Sequence, residues 1–319
     1  MFDRVRVLLI ASVLLLCSAD GIVQGEPRGQ FNGEQAFSYL ETICGLGPRI
    51  SGTKEMQQLQ SLLEKHFSDL GGTVRYQEFD AAHPQTGKPV RMRNMVVQWN
   101  PEASRRILLC SHYDTRPFPD REPTPALRMK PFLGANDGGS GVAVLMELAH
   151  HMEAAGPLLK SRQLGVDFIF FDGEELVYAQ GDKYFWGSEF FAREYRDHPP
   201  QGWRYVNGVL LDMVGGASAT FYMEVNSLRL APDVTRDFWA VAKQAGVKDF
   251  VARRKHEVLD DHLALNQIAG IPTCDVIDFD YPHWHRRNDL PAACSAQTLG
   301  KVGRVLLAWV VHNANSAGS

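Results

Sequence analysis

No two of the five cysteines in this 319-residue chain stand in a C-x-x-C pair. A zinc site built from thiolates is therefore not expected. Cys110 and Cys274 fall in apolar, strand-like runs and read as buried thiols. Basic tracts are missing too. Lys and Arg number 33 against 37 Asp and Glu, a formal charge of −4. Nothing in that balance would track a phosphate backbone, so no nucleic-acid partner is expected. No comfortable membrane span is visible either, since one needs roughly 20 apolar residues. Internal repeats are absent. What the chain does have is 45% hydrophobic residues, enough for a sizeable core and against intrinsic disorder.

The first residues carry a targeting pattern. Arg4 and Arg6 precede the apolar run Val7–Cys17, which has about eleven residues and suits the hydrophobic part of a signal peptide. Cys17-Ser18-Ala19 supplies small residues for cleavage after Ala19. We expect a signal segment within residues 1–25, export to the periplasm or beyond, and no stable membrane span once it is removed. A lipid on Cys17 or an uncleaved anchor are the other readings. Export permits disulfides without requiring one.

The remainder, residues 31–315, reads as one domain. Asn32 caps a helix whose apolar stripe is Ala36, Leu40, Ile43 and Cys44. A second helix starts near Thr53 and stops at Gly71-Gly72. Val74–Phe79 and Asn94–Trp99 read as a strand pair joined around Pro84–Pro89. Thereafter strands and helices alternate. Strands are expected at Ile107–Cys110, Val166–Phe171, Gly208–Asp212 and Pro272–Asp278. Helices are expected after Gly141, over Tyr184–Tyr195, Asp233–Ala245, His262–Ala269 and Thr298–His312. The Pro-rich stretch Pro117–Pro131 is a loop. Such alternation implies a single-domain, three-layer α/β/α fold around a mixed, mostly parallel, twisted sheet.

Acids and histidines gather where strands end. Ile107–Cys110 leads to His112-Tyr113-Asp114, and Asp137 precedes the helix at Gly141. Val166–Phe171 runs into Asp172-Gly173-Glu174-Glu175, the next strand ends in Asp212, and His283-Trp284-His285 follows the last. Ligands bind at such strand ends in open α/β sheets. Nitrogen and oxygen donors arriving there from distant parts of a chain describe a zinc site. By strand alternation Asp172 points away from Glu174's neighbours and reads as structural. His150 and His151 lie on a helix and read as solvated, and His283 as a surface neighbour.

In order, Gly47-Pro48-Arg49, His112-Tyr113-Asp114, Gly134-Ala135-Asn136-Asp137-Gly138-Gly139-Ser140-Gly141, Phe171-Asp172-Gly173-Glu174-Glu175, Gly187-Ser188, Leu211-Asp212 and His285 form a specific series. Over roughly residues 34–312 the chain resembles the M28 family of zinc aminopeptidases and their glutaminyl cyclase relatives. The resemblance implies that Asp137, Glu175 and His285 bind zinc and that Glu174 is the general acid/base. In the two-zinc aminopeptidases, His112 and Asp212 would hold a second ion. In the one-zinc cyclases, Asp212 would join a hydrogen-bond network. Asp114 would orient a ligand.

Two features resemble the cyclase branch. Trp284 before His285 would line the pocket for an N-terminal glutamine, and Asp260-Asp261-His262 would bring Asp261 into a proton network with Asp212. The animal cyclases also place a pocket tryptophan soon after the acid doublet, where Leu176–Gln180 offers only Tyr178. The expected substrates are the N-termini of peptides or proteins. The expected reaction is cyclisation of glutamine to pyroglutamate with loss of ammonia. An exported zinc aminopeptidase is the other reading.

Overall fold

A computed structural model describes residues 30–316. The expected signal segment, with Cys17, lies outside the described residues. No helix among those described is long and apolar enough to cross a membrane.

Two helices open the domain, α1 (Gly33–Gly45) and α2 (Lys54–Asp69). Asn32 and Thr53 cap them by accepting from Gln35 N and Met56 N. Strands β1 (Thr73–Ala82) and β2 (Pro89–Trp99) form an antiparallel ribbon. Next come β3 (Arg105–His112), α3 (Gly139–Ala149), α4 (Met152–Ser161), β4 (Leu164–Phe171) and α5 (Trp186–Asp197). Then follow β5 (Arg204–Asp212), β6 (Phe221–Met223), α6 (Val225–Leu230), α7 (Pro232–Gln244) and β7 (Phe250–Arg254). The short α8 (His262–Ala264) runs into a wider turn over Leu265–Ala269, before β8 (Thr273–Ile277) and α9 (Ala296–Ser316).

The main sheet has six strands in the order β1-β2-β4-β3-β5-β8. Pairings β1/β2 and β2/β4 are antiparallel, and β4/β3, β3/β5 and β5/β8 are parallel. Side-chain alternation covers both faces. Ile107, Leu109, Phe168, Phe170, Val209 and Leu211 pack with α1, α2, α3 and α9 in the larger core. Leu108, Cys110, Ile169, Phe171 and Leu210 pack on the other face against Phe191 of α5 and Leu265. This is the three-layer arrangement expected, with a mixed sheet that is parallel in its centre. Cys110 and Cys274 are fully buried, as expected.

Some elements differ from expectation. α4, α6 and the small parallel pair β6/β7 were not among the elements expected. His151 is buried, stacked on Phe31, whereas His150 is exposed. The central strand is not wholly apolar, because Asp167 sits inside it at 0% exposure. There it pairs with the equally buried Arg106 and accepts from Tyr205 Oη at 2.6 Å. Arg106 also donates to the carbonyls of Asn100 and Trp99.

The parallel strands all present their carboxyl ends at one edge. His112 stands beside Phe171 and Asp212 beside Ile277 in register. The turns that leave this edge carry the polar residues singled out above.

Removing one partner of a buried ion pair strands the other charge. Arg106→Met should therefore lower stability by about 3–5 kcal/mol, read from the midpoint of urea unfolding with the m-value unchanged.

Candidate metal centre and its cavity

Three turns build the site, each held by polar residues around it. The turn bearing Asp137 is fixed from below. Arg49 is fully buried and donates to the carbonyls of Tyr113, Leu133 and Gly134. Asp289 accepts from the backbone N–H groups of Asn136 and Asp137 at 2.8 and 3.1 Å. Asn136 Oδ1 accepts from Gly215 N at 2.6 Å, and Ser140 Oγ from Val214 N at 2.9 Å, which ties this turn to the end of β5. Gly138 has φ +75°, and a Cβ there would stand 2.8 Å from His112 Cε1. Only glycine lets the turn lie this close to the histidine.

The second turn carries the acid doublet. Asp114 accepts from Glu174 N at 3.1 Å and Glu175 N at 2.9 Å, one oxygen to each. It thus orients the doublet through its backbone. Asp172 faces away, accepting from Ser51 Oγ and Arg93 N, which is the structural role its position in the strand suggested.

The third turn places His285 with φ +54°, a left-handed conformation uncommon for a residue with a side chain. Its Nδ1 lies 2.9 Å from Asp120 Oδ1, and its Nε2 is aimed at the acids. A carboxylate on the outer nitrogen is the usual way to fix a ligand histidine.

The side chains converge. His285 Nε2 lies 2.9 Å from Glu175 Oε1 and 3.7 Å from Asp137 Oδ2. His112 Nε2 lies 3.3 Å from both Asp137 Oδ1 and Asp212 Oδ1. Asp137 Oδ2 is buried and has no hydrogen-bond partner. A lone buried carboxylate oxygen facing a second carboxylate and an imidazole nitrogen is what a zinc ligand set presents. Burial and the nearby Glu175 push Asp137 up to about 6, the mark of an anion short of counter-charge. The residues present therefore fit zinc.

Electrostatics separate the two members of the doublet. Burial, with the charges of Glu175, Asp261 and Asp260, raises Glu174 well above the ordinary carboxylate range, against the pull of His112. Burial would raise Glu175 as well, but His285 and Arg116 hold it down at about 2. Adjacent carboxyls driven apart in this way take different roles: one stays an anion and the other trades protons.

A cavity of about 420 Å³ opens over these groups. Its lining includes Asp137, Glu174, Glu175, Asp212 and His285, with Trp284 at its side. The Trp284 ring lies 4.5 Å from that of His285 and 4.6 Å from that of Phe279, and the Arg121 guanidinium lies 3.7 Å above it.

Most residues singled out in the sequence thus meet. Asp137, Glu174, Glu175, His285, His112 and Asp212 form one cluster, and Trp284 borders it. Asp261 does not line the cavity. Its side chain accepts from Ser188 Oγ, deep behind the wall, and the neighbouring Asp260 takes the lining position. Tyr178 lies outside as well, against His83 and Phe118, while Tyr184 and Phe185 form the wall there. Sequence reading missed Arg116, whose Nη1 donates to Glu175 Oε1 at 3.0 Å and whose Nη2 donates to Tyr184 Oη at 2.8 Å. It also missed Asp120, Asp260 and Asp289. Arg116 follows His112-Tyr113-Asp114 by two residues, and that nearness was the available signal.

The profile of peptidase family M28 matches residues 94–310. The chain belongs to peptidase family M28. A crystal structure of glutaminyl cyclase from Fimbriiglobus ruber superimposes with a TM-score of 0.84 at 43% identity, covering 88% of this chain and 95% of that one. A leucine aminopeptidase precursor from Bacteroides thetaiotaomicron gives 0.80 at 34% identity over 89% and 98%. The glutaminyl-peptide cyclotransferase of Drosophila melanogaster is 28% identical over 261 residues, 76% of this chain and 70% of that protein.

Asp114→Asn keeps one backbone acceptor and loses the other. It should weaken zinc binding about 10–100-fold while the fold persists, as read by competition with a chromophoric chelator and by circular dichroism.

Proposed function

We propose that this protein is a zinc-dependent glutaminyl-peptide cyclotransferase, converting an N-terminal glutamine to pyroglutamate with release of ammonia. The observation that carries the proposal is the likeness to Fimbriiglobus ruber glutaminyl cyclase over nearly the whole of both chains. The wall formed by Trp284 beside His285 supports it, since an indole face suits the flat carboxamide of a glutamine side chain.

Asp137, Glu175 and His285 would hold the zinc. Bound there, the ion supplies a Lewis acid for the γ-carboxamide oxygen. The chain's own residues do the rest. Trp284 and Phe279, side by side in the lining, would hold the side chain so that the substrate's α-amine faces its γ-carbon. Glu174, held in the cavity with a raised proton affinity, takes a proton from the attacking amine and returns one to the departing ammonia. Asp212 and Asp260 line the same wall, and the charge of Asp260 helps keep that proton affinity high. Asp261 takes part from behind, through its fixed hydrogen bond to Ser188 and its charge on Glu174.

One zinc per chain belongs to this reading, with His112 Nε2 hydrogen-bonded to Asp212 and close to Asp137 rather than binding metal. A second reading, an aminopeptidase with a second zinc on His112 and Asp212, is favoured by one contact: His112 Nε2 stands 3.3 Å from both carboxylates. Peptide or protein N-termini are the substrates in either case. Export through a signal within residues 1–25 is part of the same proposal and rests on Arg4, Arg6 and the run Val7–Cys17.

Glu174→Gln should cut ammonia release from a glutaminyl peptide by about 10²–10⁴-fold with its zinc retained. Unchanged turnover would remove Glu174 from the chemistry. Trp284→Ala should lower kcat/KM for the same peptide by at least tenfold with thermal stability nearly intact, and a normal value would show that the indole does not position the substrate.

A further inference from the structure

Behind the cavity wall lies a second polar cluster, of which the proposed reaction uses only Asp260. It consists of Asp260, His262, Asp275 and Glu224, each no more than 5% exposed. Such depth is unusual for four ionisable side chains without a lysine or arginine among them.

Glu224 is accounted for. It caps α6, accepting from Asn226 N, Ser227 N and Val258 N at 2.8, 2.5 and 2.9 Å. Although burial raises it, these bonds and His262 hold it down at about 2, so it is a carboxylate. Its Oε2 stands 3.3 Å from His262 Nε2. An anion on that side favours the tautomer with the proton on Nε2, and leaves the lone pair of Nδ1 on the other side.

That other side holds only acceptors. Nδ1 faces Asp275 Oδ2 at 3.9 Å, too far for a hydrogen bond. Neither ring nitrogen of His262, neither carboxylate oxygen of Asp275, nor Asp260 Oδ2 has a hydrogen-bond partner. One donor atom from each of Asp260, His262 and Asp275 lies within 4.8 Å of the others. Three buried polar side chains close together, each with an atom that has no hydrogen-bond partner in the structure, fit a bound cation.

We propose that Asp260, His262 and Asp275 bind a divalent first-row transition metal, zinc foremost, at a second centre behind the active-site cavity. The donor set is one imidazole nitrogen and two carboxylate oxygens, which suits such an ion better than calcium or magnesium. Glu224 plays the outer carboxylate that fixes the ligand histidine. The ion neutralises the buried acids and pins Asp260, the one member that also lines the cavity. The centre is separate from the His112–Asp137–Asp212 contact and does not depend on which reaction the cavity performs.

The direct test is anomalous diffraction at the zinc edge from crystals of the wild-type protein soaked in zinc chloride. A peak between Asp260, His262 and Asp275 is expected. No peak there overturns the proposal, whether or not the Asp137–Glu175–His285 position is filled. In solution, Asp275→Asn dialysed against zinc should hold one equivalent less than wild type by elemental analysis, and Glu175→Gln should lose a different one. Equal zinc in wild type and a folded Asp275→Asn also overturns it. If Asp275→Asn does not fold, the diffraction from wild type decides alone.

Discussion

Carboxylates crowded at one sheet edge are the constraint on which the rest of this structure depends. Asp137, Glu174, Glu175 and Asp212 meet there, almost out of water. Charges of one sign at such depth repel strongly and lose their hydration. The fold answers with backbone N–H groups on Asp114 and Asp289, with Arg116 on Glu175, with histidines between the acids, and with the fit to a metal ion. Glycines at the turns serve the same end, since they let the chain bring these groups within contact. Reactivity is the remainder of that balance. Glu175 is pinned as an anion, and Glu174 is left with a raised proton affinity beside it.

Much of this was legible in the sequence because its signals were local. Asn32 and Thr53 announced two helices, and alternating apolar runs announced a parallel sheet with helices on both faces. The ends of those runs located the site, since parallel strands must share a carboxyl edge. What was not legible came from residues whose meaning is tertiary. Asp167 interrupts the central strand, and only the fold brings Arg106 to it. Asp120 sits in a Pro-rich loop with nothing in its neighbourhood to mark it, yet it orients His285.

The Asp260-Asp261 pair shows the limit most clearly. Successive side chains at a helix start point in different directions, and the sequence alone did not say which one reaches the cavity. The structure sends Asp261 to Ser188 and Asp260 to the wall. Asp260 thereby joins two polar systems, the cavity in front and the Glu224–His262–Asp275 cluster behind. Both are acid-rich, and both leave buried polar atoms without a hydrogen-bond partner. The same physical requirement, a positive charge among buried carboxylates, thus recurs on either side of one residue.

The account is tested most directly by the mass of the product. The purified protein is incubated with a glutaminyl peptide and, separately, with a leucyl amide, each with and without a zinc chelator. The account predicts a glutaminyl peptide lighter by one ammonia, formed only without chelator, and an intact leucyl amide. Free leucine with an unchanged glutaminyl peptide would contradict it and make the protein an aminopeptidase.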